Sequence, residues 1–161
     1  MTPLELIPLA DAKTYLKVDF TDEDTYIESL VKAAIEEIEN ATEQRLYDRS
    51  EVIETSKQTF VTPIYPINSI TSIFQGGVEL VEDTDYEVSG DWDKVFEFED
   101  CENEEPKVIT LDVGHTAGTC PESLKLACYN LIEYWFNNRG ASDVPANVLS
   151  RISKYRRLTW I

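Results

Sequence analysis

The chain has 161 residues, enough for one domain with a real core, and 31 acidic against 14 basic residues give it a formal charge of −17. So acidic a surface excludes gripping nucleic acid by phosphate neutralisation, which requires Lys and Arg. The charge is uneven: residues 1–122 hold twenty-nine acids and eight bases, whereas 123–161 hold two acids and six bases.

Leu9 to Leu16 predicts a short helix with Ala12, Tyr15 and Leu16 on its inner side, although no good cap precedes it. Lys17-Val18-Asp19-Phe20 links it to a long amphipathic stretch, Thr21 to Leu46. There Ile27, Leu30, Val31, Ala34, Ile38 and Ala41 recur at steps of three and four and share one helical face. Glu28, Lys32, Glu36, Glu37 and Glu39 fall mostly on the other face. Thr21 or Asp22 can cap the first amides, and Asp22-Glu23-Asp24 suits the positive end of the helix dipole. A helix with one apolar stripe needs a partner to cover it, and the best candidate lies near the other end of the chain. The middle is therefore expected to be an insertion between helices.

From Val52 to Val113 the period changes to two. Ile67 to Ile73 is rich in β-branched residues, and Pro63 and Pro66 forbid helix before it. Ile73 to Leu80 predicts a hairpin with Gly76 and Gly77 at the turn. Asp85–Val88, Lys94–Phe98 and Val108–Val113 complete five or six short strands, with an acidic loop from Asp100 to Pro106. This predicts a small antiparallel β lobe. Pro121 and Gly140 then bracket a helix carrying Leu124, Ala127, Cys128, Leu131, Ile132, Trp135 and Phe136 in one stripe. Leu126, Tyr129 and Tyr134 widen that stripe, which predicts a central helix or one shared with another subunit. Pro145 opens a last helix with Val148, Leu149, Ile152 and Tyr155 on one side, and the chain ends in a basic, aromatic tail.

Side chains for chemistry are few. His115 is the sole histidine, and no second His or Cys pair is placed to make it a ligand or base, so a structural role is expected. The acids Asp83, Asp85, Asp91, Asp93, Glu97, Glu99 and Asp100 lack EF-hand spacing and suggest a solvated face rather than a calcium site. Gly76-Gly77 lacks the surroundings of a phosphate loop. Cys101, Cys120 and Cys128 form neither a disulfide framework nor a CxxC pair, and suit small buried hydrophobes of a reduced, cytosolic chain. No long apolar run suggests a membrane span, and nothing supports an enzyme, a cofactor or a metal.

The pieces together resemble the head-tail connector proteins (adaptor or head-completion proteins) of tailed bacteriophages and prophages. DAKTYLKVD at 11–19 and DEDTYIESLVKAAIEEIENAT at 22–42 look like the family's N-terminal helical hairpin. YPINSITSI at 65–73 is similar to its proline-led strand, DYEV at 85–88 to the next, and VITLDVGHTAG at 108–118 to its glycine-ended strand. PESLKLACYNLIEYWFNNRG at 121–140 and VPANVLSRISKYRR at 144–157 resemble its closing helices. His115 and Thr119 depart from the aromatics usual at their places, and Cys120 from an apolar residue.

The resemblance implies an α+β fold: a helical-bundle body with an inserted small antiparallel β lobe. One connector domain would span 1–161, with helices over 1–50, the β insertion over 51–118, helices over 119–152 and the tail over 153–161. It implies a structural virion protein of the phage neck, without catalytic residues or cofactor, in the virion and, during assembly, the host cytoplasm. Its partners would be the portal protein, a stopper or tail-completion protein, and copies of itself in a ring, usually twelvefold. DNA would pass through without specific binding. Lys154, Tyr155, Arg156, Arg157, Leu158 and Trp160 are the candidates for portal binding, by composition. Leu126, Tyr129 and Tyr134 are candidates for the subunit interface, and Glu36, Glu37 and Glu39 for acids lining the channel. An acidic DNA mimic is the competing reading, disfavoured by the basic tail. A hydrolase built on Asp91, Asp93 and Glu97 is a third.

Overall fold

The computed structural model describes residues 1–90, 94–99 and 105–156, and the chain divides into two compact units. Met1–Tyr47 and His115–Ile161 form one, and Asp48–Gly114 forms the other.

The first unit begins with α1 (Pro3–Leu6) and α2 (Leu9–Leu16). The backbone N–H of Thr2 donates to Glu5 Oε2 at 2.6 Å, one half of a capping box. Pro8 precedes α2, and Lys17, left-handed at φ 58°, ends it. The long helix α3 (Asp24–Thr42) follows Glu23 as its N-cap rather than Thr21 or Asp22, and no side chain caps it. It ends at Thr42 because Glu43 turns left-handed at φ 59°. Lys13 holds the entry to this helix, donating to the Phe20 carbonyl at 2.8 Å and pairing with Asp24.

Helix α4 (Glu122–Asn137) covers the stripe of α3. Ile27, Val31, Ala34 and Ile38 of α3 and Leu124, Ala127, Cys128 and Leu131 of α4 are each 0% exposed. Around this seam the Tyr15 ring stacks on Tyr129 at 5.1 Å, and Tyr15 Oη donates to Asn130 at 2.8 Å. Arg139 lies 4.9 Å over Tyr26 and pairs with Glu23 at 2.8 Å, so the end of α4 is tied to the start of α3. Helix α5 (Ala146–Ile152) buries Val148 and Ile152 and runs into a 3₁₀ turn, Ser153–Tyr155. Leu149, expected on the inner side of α5, is instead exposed.

The second unit has its own core. Strands β1 (Arg49–Thr55), β7 (Lys107–Val113), β3 (Ile67–Gln75) and β4 (Val78–Glu79) form one antiparallel sheet in that order. Strands β2 (Thr59–Val61), β6 (Val95–Phe98) and β5 (Tyr86–Ser89) form another. Alternation along β7 turns Ile109, Leu111 and Val113 inward, where they join Ile64, Ile73, Tyr86, Phe96 and Phe98. Gly76 at φ 58° and Gly77 at φ 81° make the β3–β4 turn, as a two-residue hairpin of this twist requires.

The expected helical-bundle body with one small antiparallel β lobe is corrected by these facts. The described residues make a mixed α+β fold with five α-helices and two separate antiparallel sheets. Only α3 and α4, with 19 and 16 residues, have bundle length; α1, α2 and α5 have 4, 8 and 7. Pro8 between α1 and α2 and the left-handed Lys17 after α2 keep the N-terminal helices short, and α5 gives way to a 3₁₀ turn after Ile152. The β region, with a hydrophobic core of its own, is no minor lobe.

Because the α3–α4 seam is closely packed, Leu131→Ala should cost about 2–5 kcal/mol in urea unfolding. Leu149→Ala, at an exposed site on α5, should stay within about 0.5 kcal/mol.

Candidate functional site

Among the described residues, His115, Cys120 and Cys128 are held within the fold. His115 is half-buried; its N–H donates to the Arg45 carbonyl at 3.2 Å, and its ring Nε2 lies 3.3 Å from Gln44 Oε1. Gln44 Nε2 donates onward to the Tyr155 carbonyl at 2.9 Å. Burial lowers the His115 pKa, favouring the neutral ring within this chain of hydrogen bonds. Cys120 and Cys128 are free and buried. Burial, with minor help from Glu39, pushes the Cys120 thiol up to about 11 and the Cys128 thiol higher still. Cys101, Asp91, Asp93 and Asp100 lie outside the described residues. Among those described, no group of three His, Cys, Asp or Glu side chains could hold a metal, and no helix is long and apolar enough to cross a membrane.

The three acids proposed for a channel separate. Glu36 is exposed and Glu37 half-buried, but Glu39 is 6% exposed, and its Oε1 accepts the Leu46 N–H at 2.8 Å. Glu39 therefore anchors the chain just past α3 instead of facing solvent. The three apolar candidates on α4 separate as well. Tyr129 spends a ring face on Tyr15, and Tyr134 Oη donates to Asp143 at 3.0 Å, whereas Leu126 remains 37% exposed. Of the tail, Tyr155 packs partly against the α core, and Lys154 and Arg156 are exposed. Arg157, Leu158 and Trp160 lie outside the described residues.

One feature of the α unit had no sequence signal. Ser123 at the start of α4 and Asn147, Ser150, Arg151 and Lys154 of α5 and the following turn line an open cleft of about 340 Å³. Arg151 lines it while its Nε is buried without a hydrogen-bond partner among the described residues. Arg151 follows the helical spacing of α5, and nothing in the sequence marks it apart from other exposed arginines. Of the other described cations, Lys13, Arg49, Lys125 and Arg139 have a carboxylate partner, whereas Lys17, Lys32, Lys57, Lys94 and Arg156 have none among the described residues.

The α unit thus presents a cleft lined by Arg151 and Lys154, an exposed apolar spot at Leu126 and solvated acids such as Glu36. The family model for head completion proteins matches residues 5–147, and the chain belongs to that family. This bears out the resemblance carried by the ordered motifs. The fold is also similar to that of a chain in the neck of an empty gene transfer agent particle, with a TM-score of 0.82 and 19% identity over 100% of this chain and 94% of that one. A chain in the native gene transfer agent virion matches at 0.80 and 19%, again covering 100% and 94%. A chain in the native neck, computed with C12 symmetry, matches at 0.80 and 18% over the same shares. No curated protein matches the chain significantly.

The raised thiols give a pH prediction. A group whose folded pKa is raised contributes stability below its unfolded value and loses it as pH climbs toward the folded one. In a Cys101→Ser variant, the free energy of unfolding should hold up to about pH 9 and then decline as the unfolded thiols ionise first. In the same variant at pH 8, Ellman's reagent should find no reactive thiol in the folded protein and two in denaturant.

Proposed function

We propose that this chain is a structural protein of a phage-like neck, assembled as a ring of copies beneath the portal, where it extends the DNA channel and offers the docking surface for a stopper or tail-completion protein. The observation that carries this reading is the family match over residues 5–147, supported by the whole-chain likeness to chains of gene transfer agent necks. The charge is consistent with it. An acidic wall repels phosphates and lets DNA slide, and Glu36 and the half-buried Glu37 on α3 are the acids we assign to such a wall. The portal contact we assign to the basic chain end that begins at Arg156, with Arg157, Leu158 and Trp160 supplying charge and apolar anchors. Many copies in one ring would multiply a weak contact per chain.

Removal of Arg156 to Ile161 tests the reading. Tyr155 is held from within the α unit by Gln44, so the truncated protein should melt within a few degrees of the full chain. Its co-sedimentation with portal-bearing capsids should be abolished. Normal binding by the truncated chain would remove the tail from the portal contact, and failure of the full chain to bind such capsids would remove the neck reading itself.

A further inference from the structure

We propose that the cleft of Ser123, Asn147, Arg151 and Lys154 receives the carboxylates of Glu87 and Glu97 from a neighbouring copy of this chain, forming a head-to-tail contact. The inference rests on the ring reading above and names the residues that would make one ring contact.

The cleft is short of anions. Arg151 and Lys154 stand on successive turns of α5 and its 3₁₀ extension, and neither has a carboxylate partner among the described residues. The contact recorded for the Lys154 amine is with the Tyr155 ring, 4.8 Å from its centroid. Arg151 Nε has no acceptor among the described residues and is itself closed to solvent, so an incoming carboxylate would meet the part of Arg151 that lines the cleft. A guanidinium fork beside an ammonium, flanked by a serine hydroxyl and an asparagine amide, suits carboxylate oxygens. Other described cations, such as Lys32 and Lys57, also lack a carboxylate; Arg151 and Lys154 differ in standing together in one cleft.

The other half of the contact lies in the β unit. Glu87 of β5 and Glu97 of β6 are register partners, directly opposite on the exposed face of the three-stranded sheet. Like charges placed opposite across strands destabilise a sheet. Neither glutamate has an ion pair among the described residues, so the repulsion is not relieved among them. The unit that bears them, Asp48–Gly114, holds seventeen acids and four bases, a formal −13. Beside the acid pair on the same outer face, Val61 and Val95 form the adjoining cross-strand pair, with Val61 44% exposed. On the cleft side, the exposed Leu126 stands three residues along α4 from Ser123, on the same helical face. Each half thus pairs a charge cluster with an apolar neighbour, and the clusters are of opposite sign. Because the halves are different surfaces of one chain, the contact is heterologous, the kind that builds rings when its rotation closes.

The test uses the full chain in sedimentation velocity at low salt, where such a contact is strongest. Wild type should self-associate, and added salt should weaken the association. Two folded variants, R151E/K154E and E87R/E97R, should each lose at least about tenfold in self-association, since reversal turns attraction into repulsion. An equimolar mixture of the two should restore it, because each then meets its complement. The mixture guards against misfolding, as misfolded chains would not rescue one another. The proposal is overturned if the variants associate like wild type, if the mixture does not recover, or if wild type stays monomeric at every concentration. It is also overturned if R151E/K154E self-associates normally but no longer binds portal-bearing capsids, which would give the cleft to the portal. Binding of the wild-type chain to those capsids is a separate readout, so the contact can fail while the neck reading stands.

Discussion

The structure depends on one constraint: the short α1 and α2 cover the apolar stripe of α3 only in part, and its main partner must come from the second half of the chain. That partner, α4, begins eighty residues after α3 ends, at Glu122 against Thr42. Closing that seam brings the two distant segments together and fixes where the chain must leave and return. The backbone pairing of His115 with Arg45 marks the place, and the Glu39 carboxylate on the Leu46 N–H pins the outgoing strand of chain beside it. Everything between Asp48 and Gly114 must then find a core of its own, which the inward residues of β7 and the aromatic cluster Tyr86, Phe96 and Phe98 supply. Burial of Leu, Ile and Phe side chains at about 1.5–3 kcal/mol each is the main favourable contribution in both cores.

Much of this was legible in the sequence where one periodicity ran long enough. Leu9–Leu16 was predicted with its observed bounds, and the stripe of α4 from Leu124 to Trp135 is buried as its spacing required. The hairpin glycines did what two positive φ angles demand. Other features had a local signal that periodicity does not weigh. Thr2-Pro3-Leu4-Glu5 holds the Thr and Glu of a capping box with proline at the first helical position, yet it makes a helix of four residues, too short to register as a period. The end of α3 was hidden because a left-handed Glu43 has no compositional mark. The division of the strands into two sheets depends on long-range register, which spacing along the chain does not encode.

The surfaces were harder to read than the core. Charge alone cannot tell Glu36 from Glu39, because both belong to one helix and differ in whether a nearby backbone N–H lies within reach. Tyr129 and Tyr134, the candidates for a contact with another subunit, also meet Tyr15 and Asp143 of their own unit, which the spacing did not show. Arg151 is the converse: an ordinary residue in the sequence, distinguished only once folding buries its Nε beside Lys154 with no acceptor. A strongly acidic chain that leaves such cations unpaired while setting Glu87 against Glu97 holds two electrostatic imbalances of opposite sign. Assembly is the physical process that would cancel both.

The most direct measurement is electron cryomicroscopy of tailless, portal-bearing capsids incubated with the purified chain. A closed ring of copies should be seen seated beneath the portal and coaxial with it, its lumen continuous with the portal channel. Capsids that show the portal bare, or copies bound elsewhere on the shell without a ring, would contradict this expectation.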